Sequence, residues 1–184
     1  MRKLSDEESA QARKYLDRAY SLTSKADCLE SQFGAVIFKG DSILGEGYNH
    51  VPLDLKNQFS CEVCPRRKFV PELATGVGME LCISVHAEED AINDMLLERK
   101  HPKSESFGAK MVIARIKKGE RRVPESIKPI CTKCSGKILT QTEIDEIIFE
   151  VKGGLIAFKK SEFHIDSINN LYSNWANQTL GNEK

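Results

Sequence analysis

Short apolar runs alternate with amphipathic stretches along this chain, and that order limits it to very few architectures. Phe33-Gly34-Ala35-Val36-Ile37-Phe38 is the first run. The turn chemistry of Lys39-Gly40-Asp41-Ser42 closes it, and a second strand follows from Ile43 to Tyr48, so the pair is expected to form a hairpin. Lys110 to Ile116, Ile144 to Val151 and Leu155 to Phe158 are three more expected strands, the last two separated by Gly153-Gly154. Ser5 and Glu8 fit a capping box, and Ala12, Leu16, Ala19 and Leu22 recur at helical spacing, which predicts a helix over about residues 5–23. Ala87, Ala91, Ile92, Met95 and Leu96 predict an amphipathic helix from His86 to Leu97, and residues 132–140 a short one. Ile168, Leu171, Tyr172 and Trp175 predict a closing helix, with Tyr172 and Trp175 packed into the core. Strands alternating with helices in this way indicate a sheet covered by helices: an α/β fold, here an α/β/α sandwich with a mixed central sheet.

The 184 residues suit one domain, residues 1–184, large enough to bury an ordinary core without disulfides. Residues 49–85 interrupt the alternation. They carry Pro52, Pro65, Pro71, Gly76 and Gly78, show no clear period and hold three cysteines, so they read as a Cys-rich insertion. From about residue 152 the chain reads as a divergent C-terminal extension. With 27 basic against 27 acidic residues, there is no strongly basic surface for general nucleic-acid binding, although a local pocket for one phosphate is compatible with that balance. No run approaches the ~18 apolar residues of a membrane span. Met1 to Lys14 lacks the apolar core of a secretory signal, which points to the cytoplasm. Thiols in such a reducing compartment serve more often as metal ligands or buried groups than as disulfides.

His86-x-Glu88 is followed, 43 residues after Glu88, by Cys131-x-x-Cys134. Two cysteines three apart at a helix start can turn both sulfurs towards one point, where the helix dipole favours the thiolate. His86 supplies a third ligand, which leaves the fourth tetrahedral position of zinc open, as a catalytic site requires. Glu88 can reach a water there without ligating the metal. A structural zinc half-site or a redox pair is the plainer reading of one CxxC, but neither explains His86-x-Glu88.

This is the zinc-deaminase signature, H-x-E followed by P-C-x-x-C. Over roughly residues 10–150 the chain resembles the cytidine and deoxycytidylate deaminase family. Gly34-Ala35-Val36-Ile37, Gly47-Tyr48-Asn49, His86-Ala87-Glu88-Glu89-Asp90-Ala91-Ile92 and Pro129-Ile130-Cys131-Thr132-Lys133-Cys134 carry the likeness. Two departures stand out: Ile130 separates the proline from the first cysteine, and His50 replaces the family's glycine after Gly-Tyr-Asn. The resemblance implies hydrolytic deamination of a small cytosine nucleotide, dCMP to dUMP first, with one catalytic zinc on His86, Cys131 and Cys134. Glu88 would shuttle protons from water to the ring nitrogen and the leaving amine. The alternatives are another base (tRNA adenosine, guanine or a pyrimidine intermediate) and a zinc-stabilised module without catalysis. Homo-oligomers are common in the family.

Cys28, Cys61, Cys64 and Cys82 remain. They are expected to hold a second, structural zinc, with His50 as an alternative ligand; otherwise Cys28 and Cys82 are buried small side chains and Cys61/Cys64 a surface pair. Asn49 matches the family residue that binds the nucleoside, and the Ala87 amide is expected to face the base edge. Arg66-Arg67-Lys68 is a phosphate-binding candidate, although a solvated loop is the commoner explanation of such a run. Lys117-Lys118 and Arg121-Arg122 read as a charged loop, and His101 and His164 as surface histidines.

Overall fold

The structure is a computed structural model that describes residues 1–62, 64, 66, 68, 77–129 and 131–180. Its first helix, α1 (Asp6–Leu22), begins where the capping box predicts. Ser5 Oγ accepts from the Glu8 amide at 3.2 Å, and Glu8 Oε2 accepts from the Ser5 amide at 3.0 Å. Ala12, Tyr15, Leu16, Ala19 and Leu22 form its buried stripe.

Seven strands make one mixed sheet. They are β1 (Arg2–Lys3), β2 (Ser31–Lys39), β3 (Ser42–Tyr48), β4 (Lys110–Lys117), β5 (Glu120–Arg121), β6 (Glu146–Val151) and β7 (Gly154–Lys159). The order is β1-β7-β6-β4-β2-β3, with β5 paired to the end of β4. Among the described residues only β4 and β6 run parallel; the crossover between them carries α3 (Thr132–Gln141). The other helices are α2 (Ala87–Asn93), which continues as a π turn over Asp94–Glu98, and α4 (Lys160–Leu180).

Strand alternation sorts the core into two layers. Val36, Phe38, Val112, Ala114 and Ile148 meet α1 on one face, where Tyr15 stacks on Phe38 at 4.0 Å. Ala35, Ile37, Met111, Ile113 and Ile147 meet Ala91, Ile92, Ile138 and Phe163 of α2, α3 and α4 on the other. The result is the expected α/β/α sandwich. The expected strands and helices are present, with β1 and β5 added.

Two glycines bring α2 onto the sheet. A Cβ on Gly47 would lie 2.2 Å from the Ala91 amide nitrogen, and one on Gly45 would lie 2.3 Å from the Ala91 carbonyl. Because β3 is an edge strand, its outward amides need partners. Asp94 accepts from the Glu46 amide at 2.8 Å and Asp90 from the Tyr48 amide at 3.0 Å. Thus the start of α2 sits over the Gly47 end of β3. Between β3 and α2 the described residues include two short 3-10 turns, Leu53–Leu55 and Met79–Leu81, and the helical Arg66 and Lys68, and a bridge pairs His50 with Val85.

One sequence expectation for α4 fails. Tyr172 and Trp175 are 67% and 56% exposed, so they face outwards. The helix starts eight residues before Ile168, at Lys160, and its buried side chains include Phe163 and Ser167. No helix among the described residues is long and apolar enough to cross a membrane.

Candidate active site

His86 is the last residue before α2, in extended conformation, and Cys131 holds the same position before α3. The two helix starts meet. His86 Nδ1 lies 3.0 Å from Cys134 Sγ and 3.4 Å from Cys131 Sγ, and the sulfurs are 3.0 Å apart. Among the described residues this is the single group of three or more such side chains whose ligand atoms all lie within 4.8 Å of one another. One imidazole and two thiols, convergent and mostly buried, are a zinc donor set with three protein ligands. The residues therefore fit the ion the sequence implies.

Electrostatics follow from that crowding. The Cys134 thiol holds the Cys131 thiol well below its ordinary range, and His86 adds to the effect against the cost of burial. Cys134 moves the opposite way, raised by its bond to Cys131 and by burial. The Cys131 Sγ also accepts from the Cys134 amide at 3.4 Å, in the first turn of α3. Burial, and then the charge on Cys131, push the Glu88 carboxyl up. Glu88 stands beside the three ligands without joining them. An acid poised upwards in this way can both take and return a proton nearer neutrality.

The remaining predicted residues fare differently. Asn49 is buried, with its carboxamide on β2: Oδ1 accepts from the Phe33 amide at 2.6 Å and Nδ2 donates to the Ser31 carbonyl at 3.0 Å. One lone pair and one N–H are left over for a ligand. Ala87 opens α2 and is buried. His50 turns one ring nitrogen to the Val51 carbonyl at 3.1 Å and the other to Asp90 at 3.2 Å. Cys82 hydrogen-bonds the His86 ring. Cys61 lies 3.2 Å from Ser84 Oγ and feels the charges of Cys28 and Cys82. All six cysteines are free thiols, and no three of Cys28, Cys61, Cys64 and Cys82 lie within 4.8 Å of one another. Arg66 Nε donates to the Val77 carbonyl at 2.8 Å, and the Lys68 amide to the Cys64 carbonyl at 2.9 Å. Arg67 and Ile130 lie outside the described residues.

The expected charged loop is partly strand: Lys117 ends β4 and Arg121 lies in β5, and Arg121 and Arg122 are both matched by acids. Arg121 pairs with Glu150 at 2.7 Å and caps the Tyr20 ring at 4.0 Å, and Arg122 pairs with Glu120 at 2.6 Å. His101 pairs with Glu105 at the surface. His164 is a correction: it is half-buried, with Nδ1 2.9 Å from Ser135 Oγ.

Arg115 is a residue that sequence reasoning missed. It shares strand parity with Met111 and Ile113, hence the face of α2 and α3. It pairs in register with Phe33, next to Asn49, at the sheet end where α2 begins. Its guanidinium lies 5.3 Å from the Phe33 ring centroid and donates to Ser31 Oγ at 2.9 Å. Burial lowers its pKa, Cys28 opposes that shift, and among the described residues no carboxylate oxygen lies within 4.0 Å of it. Strand parity alone could have flagged it; its partner on β2 could not be read locally.

The model of the cytidine and deoxycytidylate deaminase zinc-binding region matches residues 9–151. The chain belongs to this family. A deoxycytidylate deaminase of Mycobacterium phage D29 is 35% identical over 81 residues, 42% of this chain and 61% of that protein. The match therefore spans less than two thirds of the relative's length. The dCMP deaminase of cyanophage S-TIM5, solved in complex with dCMP and dUMP, has a TM-score of 0.51 at 17% identity over 91% of this chain and 94% of that one. A cytidine deaminase from Burkholderia pseudomallei has a TM-score of 0.49 at 13% identity, over 82% of this chain and 94% of that one. At such identity the S-TIM5 likeness speaks for the fold alone, a deaminase-type sandwich.

Proposed function

We propose that this chain is a zinc-dependent hydrolytic deaminase of a cytosine nucleotide, taking dCMP and water to dUMP and ammonia. The observation that carries the reading is the convergence of His86, Cys131 and Cys134 with Glu88 beside them, at spacings that match the zinc-deaminase signature. His86, Cys131 and Cys134 would hold the ion. When bound, zinc supplies Lewis acidity and makes water acidic enough to lose a proton near neutral pH.

The chain's own residues do the rest. Glu88 accepts one proton from the attacking water and delivers it to N3 of the ring, then takes the second from the new C4 hydroxyl and delivers it to the amine leaving C4, which departs as ammonia. Its raised pKa suits both directions of transfer. The Ala87 amide and the free lone pair and N–H of Asn49 supply hydrogen bonds to the base edge and the sugar. Arg115 supplies a fork of donors to the phosphate, which favours a nucleotide over a nucleoside. The whole chain is one functional unit in this reading, with 49–85 inserted and the segment from 152 closing the sheet. A second, structural zinc on Cys28, Cys61, Cys64 and Cys82 requires those thiols to draw closer together, and metal analysis returning one zinc per chain rejects it.

The test is ammonia release from dCMP, CMP, dCTP, cytidine, guanine and adenosine-containing RNA, beside Glu88→Gln. dCMP is expected to react best. Glu88→Gln should keep its zinc and lose about 10²–10⁴-fold in rate, the usual worth of a positioned acid–base group. Zinc bound without any turnover would favour a binding module instead.

A further inference from the structure

The family match ends at residue 151, and α4 begins at Lys160, so nothing in the family's pattern assigns this helix a role. Yet α4 grips the metal-ligand segment on both sides of the two cysteines. Upstream, Asn170 Nδ2 donates to the Pro129 carbonyl at 2.9 Å. Downstream, Ser135, the residue after Cys134, meets Ser167 Oγ at 2.6 Å and His164 Nδ1 at 2.9 Å. Ser167 Oγ in turn donates to the His164 carbonyl at 2.9 Å. The Ser135 hydroxyl has two acceptors in reach, the Thr132 carbonyl at 3.2 Å and Ser167 Oγ; with the proton on His164 Nδ1, one arrangement closes a loop in which His164 donates to Ser135, Ser135 to Ser167, and Ser167 back to the His164 backbone.

Ser135 and Ser167 are both completely buried. A helix pair needing only adhesion would use apolar side chains here. Meanwhile the apolar Ile165, Tyr172 and Trp175 of α4 face outwards, at 56%, 67% and 56% exposure. Buried hydroxyl networks that are fully satisfied fix one geometry, because any slip leaves a polar group unpaired. Between the two anchors lies the segment that presents Cys131 and Cys134.

We propose that α4 is a clamp that holds Cys131 and Cys134 in their metal-binding arrangement, with Ser167, His164 and Asn170 as positioning residues. This rests on reading His86, Cys131 and Cys134 as the zinc site. Groups that orient metal ligands from outside the ligand set are typically worth about 10–100-fold in metal affinity.

The experiment measures zinc affinity of the full chain by competition with a chromogenic chelator, and urea unfolding of the metal-free chain alongside. Variants are Ser167→Ala, Asn170→Ala, the double variant, His164→Ala, His164→Asn and, on the outer face of α4, Tyr172→Ala. The double variant is expected to bind zinc at least tenfold more weakly. His164→Ala should weaken binding, His164→Asn should restore it through its amide N–H, and Tyr172→Ala should match the parent. Zinc affinity within twofold of the parent in the double variant, with only the metal-free stability reduced, makes α4 mere packing and overturns the clamp. If the double variant does not fold, half-buried Asn170→Ala decides alone: unchanged affinity overturns the proposal. A parent chain without zinc, or one whose zinc survives Cys131→Ser, rejects the site reading itself and the clamp with it.

Discussion

In the proposed reading, the preference for a nucleotide rests on a lone strand arginine, Arg115, rather than on the basic run Arg66-Arg67-Lys68. Arg66 and Lys68 have helical backbone rather than the expected loop, and Arg66 braces the Val77 carbonyl. Arg115 instead lies against the Phe33 ring, on the face and at the end of the sheet where α2 and α3 present their ligands. A charge-assisted hydrogen bond is worth about 1.5–3 kcal/mol, which is about 10–100-fold. Arg115→Ala should therefore raise KM for dCMP by about that factor while leaving any turnover of deoxycytidine unchanged. Arg115→Lys should recover part of the loss, since it keeps the charge but not the fork. Steady-state kinetics on both substrates checks this; an equal loss on both would make Arg115 a strut for Phe33. His86, Glu88, Cys131 and Cys134 were legible because two short spacings bring their chemistry together within single turns. Arg115 was not, because its partner lies 82 positions away on another strand.

At the scale of elements, backbone clearance decides where the ligands can stand. The Gly47 position faces backbone, not side chain, so a methyl there must push α2 off the sheet. Gly47→Ala should cost about 3 kcal/mol, the upper end for overpacking, and should weaken zinc binding through His86. Gly136→Ala, in α3, is the contrast: its nearest neighbour would be His164 Cε1 at an ordinary 3.6 Å, so a gain of about 0.5–1 kcal/mol is expected from helix propensity. Urea unfolding of the two variants should thus give opposite signs. The same scale shows which elements were readable. The first helix announced itself through local capping and an apolar stripe at period 3.6. The hairpin announced itself through its turn. The last helix misled, because its buried side includes Ser167 beside Phe163 while Tyr172 and Trp175 point outwards. Hydrophobic periodicity assigns the wrong face wherever a helix is docked by polar groups.

Across the whole molecule, carboxylates tie the layers together, and this sets its response to acid. Arg2, on β1, pairs with Glu8 of α1 at 2.6 Å and Glu146 of β6 at 2.7 Å. Arg18 of α1 pairs with Glu46 of β3 at 2.6 Å. Hydrogen bonds from Arg2 hold Glu8 and Glu146 below the ordinary carboxylate range, and Arg18 does the same for Glu46. Burial opposes ionisation of Glu150, but Arg121, Tyr20 and Arg13 outweigh it. Each folded-state pKa is depressed, so below the ordinary value of about 4.3 the unfolded chain binds more protons than the folded one. The stabilisation is complete above that value and is lost as pH falls through the depressed pKa values. The share of the metal-free chain's stability that these carboxylates supply, read as the difference in unfolding temperature between the parent and a variant lacking one of them, should therefore hold level from neutral pH to about pH 5 and fall steadily below it. Using the metal-free chain separates this from zinc loss, which acid also drives by protonating the ligands. Glu146→Gln and Glu150→Gln should start less stable at pH 7 and show a shallower decline. Because several of these pairs are half-exposed, added salt at neutral pH should remove part of the same stability. A decline equally steep in both variants would place the acid sensitivity elsewhere, with Glu88 and the two cysteines the next groups to test.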